Sequence, residues 1–215
     1  MTKIIGILFT IFCISLTTNA QIKKDAILLG GHVFYNTSKT HDSALTRNQK
    51  NRNASFNISI GKAFKENSIY GINVTYSPSK NDYFYNPLIT YKVNSYHLGV
   101  FYRQYKKLAK DFYFFTELGA AYFTSKQTNT DSSGIKLSTY NQSGGLSYLT
   151  PGISYKILKK LNLEILIPNI VSIGYSVTKS KAPTQNYRQE QFSFNTSINN
   201  SSPLGNLGVG FRFIL

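Results

Sequence analysis

The sequence is poor in the residues that most exported domains use to stabilise themselves or to carry out redox chemistry. Among its 215 residues it has one cysteine, one methionine and no tryptophan. The cysteine, Cys13, lies inside the N-terminal apolar stretch, between Phe12 and Ile14, and not after small residues at its end. This position does not suit lipid attachment. The remainder of the chain contains no cysteine, which excludes disulfides as its source of stability.

Long apolar runs are also missing after residue 20. The apolar run 4–16 is shorter than the roughly 20 residues that a transmembrane helix needs. It follows Lys3 and precedes the small residues Thr18, Asn19 and Ala20. This pattern is typical of a secretory signal peptide. The sequence therefore predicts a signal peptide over 1–20, cleaved after Ala20, and one mature domain over 21–215.

Acidic residues are scarce, whereas basic and aromatic residues are abundant. The chain has 24 basic and 9 acidic residues, a net charge of +15. Such a charge indicates an anionic neighbour. Because the chain is exported and its basic residues are scattered, we expect lipid phosphates and no nucleic acid. The 16 tyrosines and 15 phenylalanines favour β-strands and the aromatic girdles of membrane barrels.

Period-two alternation of apolar and polar residues recurs along the mature chain. In 54–60, for example, Ala54, Phe56, Ile58 and Ile60 alternate with polar residues or glycine. Segments of about ten residues with this pattern are typical of transmembrane strands. They predict eight strands near 26–35, 54–62, 68–77, 89–104, 111–125, 144–157, 163–178 and 207–215. Within the sixth strand, Pro151 predicts a bulge or a local irregularity.

The connections between these segments alternate in length. Those at 64–67, 105–110 and 158–161 are short, whereas 36–53, 78–87, 126–143 and 179–191 are longer and polar. Outer-membrane barrels have short periplasmic turns and long extracellular loops. The pattern predicts a closed antiparallel up-and-down transmembrane β-barrel of about eight strands, with both chain ends in the periplasm.

The approach to the last strand is irregular. Phe192, Phe194 and Ile198 occupy even positions, whereas Leu207, Val209 and the apolar residues after them occupy odd positions. A strand changes face only through an inserted residue or a break. We expect one long final strand with an irregularity near 199–205. The alternative is two strands joined by a turn, which would leave the C-terminus outside.

The C-terminus resembles the terminal strand of outer-membrane barrels, in which a glycine precedes alternating apolar residues that end in an aromatic at or near the last position. The matching residues are Gly208, Phe211, Phe213 and Leu215, and the chain departs from the pattern in ending on leucine. The whole mature chain is similar to small eight-stranded barrels of the OmpA/OmpX type. This resemblance implies residence in the outer membrane of a Gram-negative bacterium and insertion by the barrel assembly machinery.

Charged residues at inward positions are the candidate site. The alternation places eight of them in the lumen, namely His32, Lys62, His97, Arg103, Glu117, Lys156, Glu164 and Arg212. Because buried charges need partners, we expect Glu117 and Glu164 to pair with Arg103 and Arg212. The predicted result is a polar network, including His32 and His97, that fills the lumen. The alternative is a narrow ion path.

No pattern in the sequence points to an enzyme or to a cofactor. There is no metal-ligand spacing and no glycine-rich phosphate loop, and His41, Asp42 and Ser43 are sequence neighbours that do not form a triad. We expect a monomeric, non-enzymatic barrel with a structural or surface-interaction role. The alternatives are a narrow porin-like channel and, ranked third, a lipid-modifying enzyme.

The basic residues fall into two groups on this topology. One group lies at the mature N-terminus and the short turns. The other lies in the predicted outer loops and comprises Lys39, Arg47, Lys50, Arg52, Lys179, Lys181 and Arg188. Both are expected to contact phosphates of outer-membrane lipids and lipopolysaccharide. The outer group has a second interpretation, the binding of an extracellular ligand.

Overall fold

All regular structure in the described part of the chain is antiparallel β-strand. The computed structural model describes residues 22–42, 47–84, 89–181, 186–196 and 207–215. The predicted signal peptide and its cleavage site lie outside these ranges. None of the described residues forms a helix long and apolar enough to cross a membrane. The strands are β1 (Ile27–Asp42), β2 (Arg47–Lys65), β3 (Ser68–Phe84), β4 (Ile89–Lys107), β5 (Phe112–Thr130), β6 (Lys136–Leu158), β7 (Leu161–Leu166), β8 (Val171–Lys181), β9 (Asn186–Thr196) and β10 (Gly208–Ile214).

The strands close into a ring with eight positions. Strands β1 to β6 each pair with the next in the chain, β7 pairs with β6 and β10, and β10 pairs with β1. Strand β8 continues the position of β7 along β6, and β9 pairs with β8. The predicted closed, antiparallel, up-and-down barrel of eight strands is therefore confirmed, with the last two positions each divided in two.

The break in the seventh position lies opposite Pro151. Strand β6 runs through Pro151 in unbroken register with β5, so β6 itself has no bulge there, and the predicted irregularity lies on the side that faces β7 and β8. On its other side, Leu166 pairs with Gly152 and Val171 pairs with Leu149, which leaves two extra residues in the seventh strand. Pro168 has no N–H to donate to the ladder, and Asn169 has a positive φ of 50°. The irregularity therefore lies across from Pro151.

The break in the eighth position explains the change of face read in the sequence. Thr196 pairs with Val171, and Gly208 pairs with Leu166. Between these two pairs the eighth strand advances 12 residues, from Thr196 to Gly208, whereas its partner advances 5, from Leu166 to Val171. The difference of 7 is odd, and an odd difference moves the outward-facing residues from even to odd positions. Strands β9 and β10 run in the same direction, which rules out the alternative of a turn between them. The predicted irregular stretch 199–205 lies outside the described residues.

The predicted long loops are mostly strand. Strand β1 continues to Asp42 and β2 begins at Arg47, and the other three hairpins at this end are similarly extended. Only 43–46, 85–88, 131–135 and 182–185 lie between strands there. The predicted long loops are wrong because apolar alternation marks only the part of each strand whose outward face is apolar. Threonine, serine and asparagine can continue a ladder in water, where no apolar outward face is needed. The turns at the opposite end are short, as predicted, but narrower than predicted: only 66–67, 108–111 and 159–160 lie between strands there.

One half of the barrel interior is packed with large side chains. The buried core consists of Ile22, Leu28, Ala63, Ile69, Phe101, Tyr105, Tyr113, Phe115 and Leu166, near the end with the short turns. Aromatic rings lie directly on inward glycines: Phe101 covers Gly71, Tyr148 covers Gly119, and Phe115 covers Gly152. These glycines are required because any Cβ would occupy the space of the ring.

This packing predicts that a leucine lowers the unfolding free energy at position 119 but not at the adjacent position 120. Gly119→Leu would force the Tyr148 ring out of its place, and we expect a loss of about 1–3 kcal/mol in unfolding free energy. Ala120→Leu is the matched control because Ala120 faces outward, where a larger apolar side chain has room. Urea titration of the folded protein measures both. Equal loss in the two variants would contradict the inward packing of Tyr148.

Candidate functional site

The structure brings four of the predicted lumen residues into one cluster. Arg103 lies on β4, Glu117 on β5, Glu164 on β7 and Arg212 on β10. Arg103 and Glu117 are direct cross-strand partners, whereas Glu164 lies across the lumen from Arg103. All four face inward because strand alternation places them on the face opposite the exposed apolar residues. We call these four residues the lumen charge cluster.

Glu164 is at the centre of the lumen charge cluster. Arg103 Nη1 donates to both of its carboxylate oxygens, at 2.9 and 2.8 Å. Arg212 also donates to both oxygens, from Nε at 3.0 Å and from Nη2 at 3.2 Å. The Tyr105 hydroxyl adds a fifth hydrogen bond at 2.7 Å. Arg212 further donates to Ser59 Oγ at 3.1 Å, which ties β10 to β2. One carboxylate thus joins two arginines from opposite sides of the ring.

Glu117 completes the lumen charge cluster on the other side of Arg103. Its Oε2 accepts from Arg103 Nε at 2.9 Å and from Nη2 at 2.6 Å. Its Oε1 accepts from the Tyr148 hydroxyl at 3.4 Å, and Asn73 Nδ2 donates to that hydroxyl at 2.7 Å. The chain of bonds therefore runs from β3 through β6 and β5 to β4 before it crosses to β7.

The lumen charge cluster is buried and electrically balanced. The exposed fractions of Arg103, Arg212, Glu164 and Glu117 are 2%, 1%, 0% and 5%. Two positive and two negative groups offset the cost of burying charge, because each guanidinium faces a carboxylate at hydrogen-bond distance. The Arg103 guanidinium also stacks 4.3 Å from the centroid of the Phe115 ring. These contacts leave the arginines little freedom to move.

The sequence did not identify Ser59, Asn73, Tyr105 and Tyr148 as members of this network. Ser59, Asn73 and Tyr148 occupy inward positions by the same alternation that placed the four charges, whereas Tyr105 fell in the predicted short turn 105–110. The inward positions of the first three were therefore readable from the sequence. Their partners were not, because the alternation gives a face and says nothing of which residues meet across the lumen.

The other predicted lumen residues do not join the lumen charge cluster through a hydrogen bond among the described residues. His32 Nδ1 is buried without a hydrogen-bond partner there, and His97 stacks on Phe123 with ring centroids 5.5 Å apart. Lys62 was wrongly placed inside. It faces outward, exposed, and its Nζ lies 3.1 Å from Asp25 Oδ1. Even-numbered residues of β2 point outward, and Lys62 follows that rule. Lys156 is half-buried.

The half of the lumen away from the buried core contains a cavity of about 510 Å³. Its described lining consists of hydroxyl, amide and apolar side chains and the His32 imidazole, among them Ser55, Ser77, Ser95 and Asn169. The described residues contain no group of three or more histidine, cysteine, aspartate or glutamate side chains arranged to hold a metal ion. The lumen therefore has a filled half, which includes the lumen charge cluster, and a hollow half.

Comparison with known proteins gives structural likeness only. No family model and no curated protein matches the chain. The chain is similar to the translocator domain of the autotransporter NalP from Neisseria meningitidis, with 13% identity, a TM-score of 0.44, and coverage of 99% of this chain and 69% of that one. It is also similar to Neisserial surface protein A, with 15% identity, a TM-score of 0.36, and coverage of 87% of this chain and 96% of that one. Ail of Yersinia pestis matches with 10% identity, a TM-score of 0.34, and coverage of 90% of this chain and 96% of that one. Likeness at this level carries no inference about function.

The geometry predicts a large effect of neutralising Glu164. In Glu164→Gln the buried Arg212 would lose the carboxylate it pairs with, while Arg103 would keep Glu117. We expect a loss of about 3–5 kcal/mol in unfolding free energy, measured by urea titration. Glu66→Gln is the isosteric control, because Glu66 is exposed in the turn between β2 and β3. We expect it to unfold at the urea concentration of the unchanged protein.

A charge-balanced double variant separates lost pairing from lost packing. Glu164→Leu with Arg212→Leu removes one charge of each sign and leaves Arg103 paired with Glu117. We expect this variant to be more stable than Glu164→Gln, since it leaves no excess buried charge. If Glu164→Gln unfolds like the Glu66 control, the cluster does not hold the structure together as described.

Proposed function

We propose that the chain is a transmembrane barrel of the bacterial outer membrane with a structural or surface-interaction role, and that it is neither an open channel nor an enzyme. The observation that carries this proposal is an inverted distribution of polarity. The outer wall exposes large apolar side chains, whereas arginines and glutamates are buried inside. Such a wall suits lipid, because the ring of pairings from β1 round to β10 satisfies the backbone groups of these strands at the short-turn end.

The outer wall has an apolar band between two sets of aromatic residues. Residues such as Ile58, Ile72, Val74, Leu98 and Val100 are more than half exposed in this band. The set at the short-turn end, the lower girdle, consists of Phe64, Tyr70, Tyr102, Phe112 and Tyr155. The set at the other end, the upper girdle, consists of Tyr35, Phe56, Tyr76, Tyr96, Tyr122, Tyr175 and Phe192. Two such girdles are typical of outer-membrane barrels.

The height of this band suits a bilayer. On β2 the girdle residues Phe56 and Phe64 are eight residues apart, which is about 26 Å along a strand. A strand tilt of about 35–45° reduces this to roughly 20 Å across the membrane, near the approximately 25 Å apolar band of known barrels. The resemblance to the OmpA/OmpX type agrees with this size and with the eight positions of the ring, and we retain it as part of the proposal.

A closed lumen supports a structural or surface role over transport. The lumen charge cluster bridges β4 and β7, and Phe115 packs against it. The polar groups of the cluster hydrogen-bond to one another. The Ser59 hydroxyl accepts from the Arg212 guanidinium, which is a cation and cannot act as a general base. We therefore assign the cluster to holding the barrel together. The hydrophilic hairpins at the hollow end are the parts that would meet an extracellular ligand.

The proposal also assigns a role to the C-terminal strand. Strand β10 pairs with both β1 and β7, so it completes the ring. Phe211 and Phe213 are exposed on the outer wall and Leu215 is 62% exposed, while Gly208 begins the strand. We propose that this segment is the signal read by the barrel assembly machinery and that the inserted protein is a monomer.

Heat-modifiable migration tests the membrane barrel. We expect the unboiled protein to migrate differently from the boiled protein on a gel, because the closed ladder survives detergent until it is heated, and we expect it in the outer-membrane fraction. A water-soluble, periplasmic protein would contradict the proposal.

Conductance in planar bilayers tests the closed lumen. We expect no steady single-channel steps from preparations that show the heat-modifiable band, because the lumen charge cluster obstructs the lumen. Steady steps would favour the alternative, a narrow channel for small solutes.

A further inference from the structure

The outer wall carries a second regular pattern beyond the upper girdle. Seven of the eight ring positions have a lysine or arginine four residues beyond their girdle aromatic, on the same outward face and on the side away from the lower girdle. The sixth position, β6, is the exception. We call these residues the cationic belt: Lys39, Arg52, Lys80, Lys92, Lys126, Lys179 and Arg188.

The strand register places members of the cationic belt next to one another. Arg52 pairs with Lys80, and Lys80 pairs with Lys92, so three cations lie side by side on β2, β3 and β4. Lys179 pairs with Arg188 in the same way. Like charges directly opposite each other destabilise a sheet. This arrangement is therefore unfavourable unless an anion compensates for it.

The described residues compensate for only part of this charge. Asp82 lies 3.0 Å from Arg52 Nη2 and 3.2 Å from Lys80 Nζ, and Glu190 lies 2.8 Å from Arg188 Nη2. Burial opposes ionisation of Asp82, but hydrogen bonds from Thr90 and Lys80 and the positive charges of Lys80 and Arg52 outweigh it and lower its pKa. Seven cations and two carboxylates leave a net charge of +5. Lys39, Lys92, Lys126 and Lys179 form no ion pair among the described residues.

The height of the cationic belt indicates where its anions lie. Four residues span about 13 Å along a strand, or roughly 10 Å along the membrane normal at the tilt of such barrels. The girdle aromatics mark the membrane–water interface in the proposed function. A lysine at this height can bend its side chain back toward the interface. The belt therefore lies at the level of lipid headgroups and not at the tips of the hairpins.

We propose that the cationic belt binds the phosphate groups of lipids in the outer leaflet, such as lipopolysaccharide, with its main site on Lys80, Lys92 and Lys126. This inference rests on the proposed function, since it needs the barrel in a membrane. The cations follow the circumference at one height, and the apolar band lies directly beneath them, where acyl chains would pack. A soluble or protein anion would need no apolar surface below the charges.

The site on β3, β4 and β5 brings three cations together on one outward face. Lys80 and Lys92 are direct cross-strand partners, and Lys126 lies diagonally from Lys92 because Asn94 is its direct partner. Below them Tyr76 and Tyr96 stack with centroids 5.1 Å apart, and the Tyr76 hydroxyl donates to Asn94 at 2.9 Å. The stacked tyrosines give the lipid a flat surface beneath the three cations.

The test measures lipid retention and stability with a charge-matched control. The full-length barrel is reconstituted in phosphatidylcholine vesicles, with or without bisphosphorylated lipid A, or with free inorganic phosphate. The variant Lys92→Gln/Lys126→Gln removes two belt charges. The control Lys159→Gln/Lys160→Gln removes two exposed charges at the opposite, short-turn end. Readouts are the temperature at which the folded gel band disappears and the lipid A retained on purification.

We expect lipid A to raise that temperature for the unchanged protein and the control, and the belt variant to retain about fivefold less lipid A, in line with the loss of two exposed charge contacts. Equal losses in both double variants would overturn the proposal, because general charge would then explain binding. A rise with inorganic phosphate alone would mean a soluble anion site, and would also overturn it. A barrel that shows no folded band even in phosphatidylcholine would refute the proposed function, and the belt inference with it.

Discussion

Glu164 is a carboxylate with no exposed surface, and the closed half of the barrel depends on how it is neutralised. Arg103 approaches it from β4 and Arg212 from β10, while Glu117 balances the second positive charge. An unpaired charge at this depth would be strongly unfavourable. The four side chains must therefore be present together, and their strands must hold them at hydrogen-bond distance. Aromatic rings set on glycines fill the remaining space around them.

The two halves of the barrel consequently have different roles. The half with the short turns is packed with apolar and charged side chains that join opposite strands. In the other half, small hydroxyl and amide side chains line a cavity, and the hairpins extend beyond the upper girdle. We assign stability to the first half and the presentation of charge to the second. The cationic belt on the outer wall lies at this hollow end.

Much of the fold was predictable because strand alternation is a local property of the sequence. The outward faces of β2, β3 and β4, the ring of eight positions and the change of face before Leu207 all followed from which positions are apolar. The hairpin lengths and the insertion beside Pro168 did not, because strands outside a bilayer need no apolar face and a two-residue insertion preserves alternation. The partners of Glu164 depended on contacts across the lumen. Inward position suggested them, but only the assembled ring shows that Arg103 and Arg212 share one carboxylate.

Reaction of introduced cysteines with a membrane-impermeant maleimide tests the central claim most directly. The predicted mature chain contains no cysteine, so each variant has a single thiol. Ser77 lines the cavity in the hollow half, whereas Ser154 is completely buried in the filled half. In the folded, membrane-inserted protein the account predicts that Ser77→Cys reacts and Ser154→Cys does not, and that both react after unfolding. Equal, rapid reaction of both thiols in the folded protein would show that the lumen charge cluster does not close the barrel.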